Sequence, residues 1–242
     1  MMEQLKQIYL KGDFMSNITV KDIVCPKCSE ATQASLYNSI NVTNEPKLRS
    51  SALSGQLFKW QCSSCGHSAQ LAYPVLYNDM KHRFMVYLIP QIERFQLCDV
   101  ELEARFSNVE DVTKRLAPDF NTFKEKIFML ESGLDDMAIE LTKLTLSDIV
   151  AKKLGLQKVE EGYLSMYNRE TNTMGFTFFT GENNAPYVQS VRLEVYSKAM
   201  KIVEELAGKD KQLEGFLKID REWASNLLYR HKRAKQLQKL GL

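Results

Sequence analysis

The sequence predicts an α+β fold, and three stretches carry the prediction. Between residues 17 and 90, segments such as "NITVKDIV" and "RFMVYLIP" alternate or concentrate apolar side chains as half-buried strands do. From 107 to 155 apolar residues recur every three or four positions, the period of an amphipathic helix. After Gly155, "EGYLSMYN" and "MGFTFFTG" return to strand character on either side of the turn-rich "RETNT". These shifts divide the chain into an extension (1–15), a domain of hairpins followed by helices (16–155), and a C-terminal α+β subdomain of hairpin plus helix that ends in a basic helical tail (156–242).

The first two elements are hairpins with cysteines at their tips. "NITVKDIVC" leads into Cys25-Pro-Lys-Cys28 and "ATQASLYNSI" leads out; "QLFKWQC" leads into Cys62-Ser-Ser-Cys65 and "HSAQLAYP" leads out. Two intervening residues let both thiolates point to one side of a tight turn, whose backbone N–H groups then donate to the sulfurs. Pro26 presets the first turn, and Gly66 permits the backbone angles that follow the second pair. The gap between Cys28 and Cys62 exceeds the roughly 15 to 20 residues of compact ribbons, and a short helix about "EPKLRSSALSG" accounts for part of the excess.

Four soft ligands complete a tetrahedral Zn2+ shell, so Cys25, Cys28, Cys62 and Cys65 are the predicted metal ligands of a zinc ribbon. A full thiolate shell leaves no position for water or substrate, which makes the predicted site structural rather than catalytic. An iron cluster and a dithiol redox pair are the alternatives; the second needs one pair beside a βαβ unit, and here two pairs lie among strands. His67 follows Cys65 by two residues and is left outside the ligand set. Cys98, in "RFQLCDVELE", reads as a small buried hydrophobe, with no Cys/His/Asn signature around it.

Further along, "RFMVYLIP" ends at Pro90 and "DVELEARF" is expected to pair with it or a neighbour. Ser107 and Glu110 stand three apart as a capping box opening a helix over "SNVEDVTKRLA". A second helix, "DFNTFKEKIFMLES", is expected to stop at Gly133, and a third, "DDMAIELTKLTLSDIVAKKLG", at Gly155. Beyond the C-terminal hairpin, "ENNAP" and "YVQSVRL" lead into a helix whose Val195, Ala199, Ile202, Val203 and Leu206 share one face. A short strand, "GFLKI", then passes to Asp220, the N-cap of the closing helix.

Together, "VCPKC", "WQCSSCGH", "YPVLYNDM" and "EKIFMLESGLDDMAIELTKL" resemble the CpXC domain family of bacterial and archaeal proteins, over roughly residues 17 to 145 and more loosely onward to "DREWA". The second pair departs from the family's Cys-Pro-x-Cys element, with Ser63 where proline is expected; both ligands remain. The resemblance implies the zinc site and the fold and brings no reaction with it.

Composition limits the remaining readings. With 44% hydrophobic residues in 242, the chain buries a sizeable core without needing a metal to be globular. Its 32 basic and 30 acidic residues nearly cancel, so any nucleic-acid contact would have to be local. No stretch approaches the roughly 20 apolar residues that span a bilayer, and the start reads as no signal peptide, so a cytoplasmic protein without membrane contact is expected; Met15 offers a second start.

Two local features offer alternatives to a structural zinc module that binds an unknown protein partner. The tail "YRHKRAKQLQKLGL" carries Arg230, Lys232, Arg233, Lys235 and Lys239 without an acid, a candidate for nucleic acid. Asp136 and Glu140 share a helix face one turn apart and offer acid/base or magnesium chemistry; the plainer expectation is acids in the first turn and a surface pair of Glu140 with Lys143. Catalytic motifs are otherwise missing: the sequence has no phosphate-binding glycine loop, no G-x-S-x-G and no H-E-x-x-H.

Overall fold

The computed structural model describes residues 15–90, 111–156, 158–180, 185–211 and 215–239. The expected extension up to residue 14, the "DVELEARF" strand, Cys98 and the Ser107/Glu110 capping box lie outside them. The fold is α+β, and its contacts divide the chain into two compact units, residues 1–124 and 125–242.

The first unit is built on a five-stranded sheet. Strands β1 (Asn17–Val24) and β2 (Ala31–Asn41) form the first hairpin, and β5 (Val75–Asp79), β6 (Phe84–Leu88) and β7 (Thr113–Ala117) complete the order β1-β2-β5-β6-β7. The hairpin pairs β1/β2 and β5/β6 are antiparallel, whereas β2/β5 and β6/β7 are parallel. Helix α1 (Lys47–Leu53) ends near Gly55, whose left-handed φ of 77° starts a 3-10 turn (Gln56–Phe58) that delivers Phe58 into the interior. Phe58 packs edge-on against Phe120 and Phe123, and Phe123 against Tyr77, forming an aromatic centre. The second cysteine-tipped hairpin, β3 (Lys59–Gln61) and β4 (Ser68–Gln70), is a separate two-stranded sheet.

Two differences from the sequence-based expectation concern this unit. Residues 113–117, expected at the end of a helix, are a strand. "TKRLA" has good helix formers, but pairing Thr113 to Ala117 in register with Phe84 to Leu88 satisfies its backbone within a sheet, and tertiary pairing overrides local propensity. Strand β5 was not anticipated; Pro74 introduces a five-residue run that becomes central in the sheet, with Val75 and Tyr77 fully buried.

Helix α2 (Phe120–Glu131) starts at Asp119, whose carboxylate accepts the Thr122 N–H at 2.8 Å, and its residues from Glu125 onward belong to the second unit. Helix α3 (Asp136–Leu154) is capped by Asp135, which accepts from the N–H groups of Met137 (2.9 Å) and Ala138 (3.2 Å), and ends on Gly155 at φ 67°. Strands β8 (Glu161–Asn168), β9 (Thr173–Phe179) and β10 (Pro186–Arg192) form an antiparallel sheet ordered β10-β9-β8. Three helices follow: α4 (Leu193–Leu206), the single turn α5 (Gly208–Lys211) and α6 (Arg221–Lys239).

Helix α3 is enclosed on three sides. Ile139, Leu146, Val150 and Ala151 pack with Phe176, Phe178 and Met174 of the sheet. Met137, Ala138 and Leu141 pack with Ala199 and Val203 of α4 and Leu227 of α6. The remaining stripe, Asp136, Glu140 and Lys143, meets Glu125 and Lys126 of α2. Residues 186–192, expected as a lead-in to α4, are the edge strand β10, and the expected strand "GFLKI" is reduced among the described residues to an isolated bridge at Leu217. Asp220 does cap α6, accepting from Trp223 N at 3.0 Å.

Candidate metal centre

The two cysteine turns share one hydrogen-bond pattern. Cys25 N donates to Glu30 O (2.9 Å) and Ser29 N to Cys25 O (2.9 Å); Cys62 N donates to His67 O (2.8 Å) and Gly66 N to Cys62 O (2.9 Å). Each turn therefore needs a left-handed residue immediately after its second cysteine. Gly66 provides it at φ 72°, and in the first turn Ser29 provides it at φ 61°, against the preference of a residue with a Cβ. This equivalence was legible in the sequence only by aligning the two turns, since Ser29 carries no glycine to announce it.

The turns bring the sulfurs of Cys25, Cys28, Cys62 and Cys65 within 4.8 Å of one another. Contacts cross between hairpins, with Cys25 Sγ to Cys65 Sγ at 3.6 Å and Cys28 Sγ to Cys62 Sγ at 3.7 Å. Four sulfurs at about 2.3 Å from a central ion in a tetrahedron stand about 3.8 Å apart, so the group fits one metal ion. His67 gives its carbonyl to the turn, and among the described residues the cluster consists of the four cysteines. Cys25 and Cys62 are buried beside Ala34 and Trp60, while Cys28 and Cys65 lie at the half-exposed side.

Electrostatics in this group are unequal. Burial opposes ionisation of Cys62, but the N–H groups of Cys65 and Ser64 and the neighbouring thiols outweigh it and lower its pKa to about 6. The Glu30 N–H favours a Cys28 thiolate, yet burial and the three other sulfurs prevail and push it up to about 12.

The acidic pair expected on a solvated face is elsewhere in character. Asp136 and Glu140 are 1% and 4% exposed, and Lys126, fully buried, bridges them at 2.9 and 3.2 Å. Lys143 contacts Glu140 at 3.0 Å and Glu125 at 2.8 Å, and Glu125 also accepts the Leu164 N–H at 2.6 Å. The expected surface pair of Glu140 and Lys143 is therefore a buried one. Burial pushes the Glu125 carboxyl upward in spite of Lys143, whereas for Lys143 burial is outweighed by Glu140 and Glu125 and its pKa rises. Sequence spacing missed Lys126 and Glu125, because nothing in "TFKEKIF" distinguishes a buried lysine from a solvated one.

In the basic tail, Arg230 is already engaged, with its guanidinium 2.7 Å from Asp210, while Lys232 and Arg233 are exposed. Among the described residues no helix is long and apolar enough to cross a membrane.

Comparison with known proteins finds no significant match among curated proteins or solved structures. The sequence pattern described as CpXC protein, however, matches residues 23–143, half of the 242 and a span that includes both cysteine turns and the start of α3. With that match added to the paired turns, the chain belongs to the CpXC family.

Proposed function

We propose that the four cysteines hold one structural Zn2+ and that the zinc ribbon so formed is a non-enzymatic module presenting a surface to a protein partner in the cytoplasm. The observation that carries this reading is the cross-hairpin sulfur spacing of 3.6 and 3.7 Å, which suits a tetrahedral thiolate shell with no open position. Zinc is the favoured ion because four thiolates in pairs of the C-x-x-C type match its softness and geometry. The chain's own residues supply the ligand charge, and the turn N–H groups at Ser64, Cys65 and Glu30 steady the sulfurs.

The Asp136 and Glu140 stripe lends little to an enzymatic reading, since both carboxylates are neutralised by lysines inside the fold. A nucleic-acid reading keeps Lys232 and Arg233, two exposed cations at a helix C-terminus. It predicts affinity for single- or double-stranded DNA or RNA that falls steeply with salt and on deletion of residues 230–242.

The test is Cys62→Ser in the full chain. Loss of bound zinc together with loss of amide protection in β1 to β4 is the expected result. A variant that keeps one zinc per chain contradicts the ligand assignment.

A further inference from the structure

Between the two cysteine-tipped hairpins lies a cavity of about 240 Å³. Its two walls are strand edges, and their hydrogen-bonding direction follows from the pairing. Cys25 N donates to Glu30 O, so the even-numbered residues of β2 turn their backbone polar groups toward β1. Gln33 and Ser35 then turn theirs outward, as Tyr37 does: its N–H reaches the Tyr73 hydroxyl at 3.3 Å. On the other wall, Phe58 O accepts from Leu71 N and Cys62 N donates to His67 O, both at 2.8 Å, which commits the even positions to β4 and leaves Lys59 and Gln61 facing away from it.

The ladder of β2 with β5 begins only at Ser39, and β3 pairs with β4 alone. Among the described residues, the backbone groups of Gln33, Ser35 and Gln61 and the carbonyl of Lys59 therefore border one cavity unpaired, while the Lys59 N–H is committed to Gln56 O. Such edges are templates for another strand. Ala34, Leu36 and Trp60 supply apolar lining. One end is closed by Tyr73, whose hydroxyl joins Tyr37 N to Leu57 O. At about 3.3 Å per residue, the Gln33–Leu36 wall accommodates three or four residues of extended chain.

From this we infer that the cavity is a docking slot for one extended segment of a partner protein, which enters as a strand between β2 and β3 and carries a carboxylate opposite Lys59. Lys59 is the charged residue of the lining, and the facing backbone rows demand a peptide rather than a sugar, nucleotide or lipid. The inference rests on the reading of the ribbon as a protein-interaction module and names the kind of partner it takes.

The experiment selects heptapeptides from a phage-displayed random library against the full chain with its metal, and quantifies bound zinc in the same preparation. Enriched peptides are expected to contain an acidic residue and to slow amide exchange at Gln33, Ser35 and Gln61. Methylating alternate peptide nitrogens should abolish binding, and Lys59→Glu should weaken it at least tenfold while zinc content stays at one. A zinc-loaded chain with protected β1 to β4 amides that enriches no peptide overturns the slot and leaves the ribbon reading standing. Peptides that bind but protect other amides overturn it too. A chain without metal and with exchanging β1 to β4 amides instead overturns the underlying module.

Discussion

Around the cysteines, the fully buried apolar side chains are few: Ala34 and Trp60, with Cys25 and Cys62 themselves. Around α3, two clusters of eleven and eight buried residues flank a single helix. The short β3/β4 hairpin and the cysteine turns bury little apolar surface of their own, so a metal bound by the four sulfurs, as proposed above, would contribute much of their stability. The helix has the opposite surplus, and its cores support a buried group of three carboxylates and two ammonium ions whose desolvation is costly. On the proposed zinc reading, one region is held by ligand bonds and the other by packing, and each tolerates the kind of substitution that would ruin the other.

The largest expected effect breaks the comparison at the metal. Structural zinc supplies on the order of 10 kcal/mol or more of apparent folding free energy to small metal-built modules. Chelation should therefore release β1 to β4 to fast amide exchange while α3 and β9 stay protected. Loss of protection in both regions together would show that the packed helix depends on the metal as well.

Next in size is Lys126→Met, which removes the cation shared by Asp136 and Glu140 and leaves Glu140 with Lys143. Breaking a buried pair from one side costs about 3 to 5 kcal/mol. Chemical denaturation followed by the amides of α3 should show this loss with metal affinity unchanged, and a cost below about 1 kcal/mol would mean that the network relaxes by hydrating.

Gly162→Ala acts on packing alone. A Cβ there would stand 2.5 Å from two ring atoms of Phe178, so the ring must move within the core of the sheet. Overpacking of this kind costs about 1 to 3 kcal/mol, read as a lower unfolding midpoint for the second unit. A paired test in the cysteine turns is smaller: Gly66→Ala should weaken the folded hairpin by about 1 kcal/mol, while Ser29→Gly, relieving its φ of 61°, should be neutral or slightly stabilising. Opposite signs at these equivalent positions would confirm that the two turns are the same device.

The smallest effect is a pH slope. Because burial raises the Glu125 carboxyl above its ordinary 4.5, the unfolded chain releases this proton first, and stability falls as pH rises from about 4.5 through the folded value. Glu125→Gln should flatten that part of the profile, measured by denaturation of the second unit between pH 4 and 8.

The same contrast explains what the sequence disclosed. The cysteine turns were legible because one residue type recurs at a fixed spacing, Cys25 and Cys28, Cys62 and Cys65, with Gly66 marking one left-handed corner. Helix ends were legible at Gly155 and Asp220, where capping is local chemistry; Asp135, expected within the first turn, is the cap itself. Strand β7 was not, because "TKRLA" has helix-forming residues and becomes a strand only by pairing with β6, and β5 lacked the alternation of a half-buried strand because Val75, Tyr77, Asn78 and Asp79 are all buried. The buried fate of Lys126 was equally invisible. Its partners sit ten and fourteen residues away, and a lysine's burial is decided by what surrounds it rather than by the residues beside it in sequence.

The central claim, a single zinc held by four cysteine sulfurs, is tested most directly by X-ray absorption at the zinc edge on the purified chain, with total metal determined in parallel. One zinc per chain, surrounded by four sulfurs at about 2.3 Å with no oxygen or nitrogen neighbour, is the result the account predicts. Iron in place of zinc, or a shell containing oxygen or nitrogen, would contradict it.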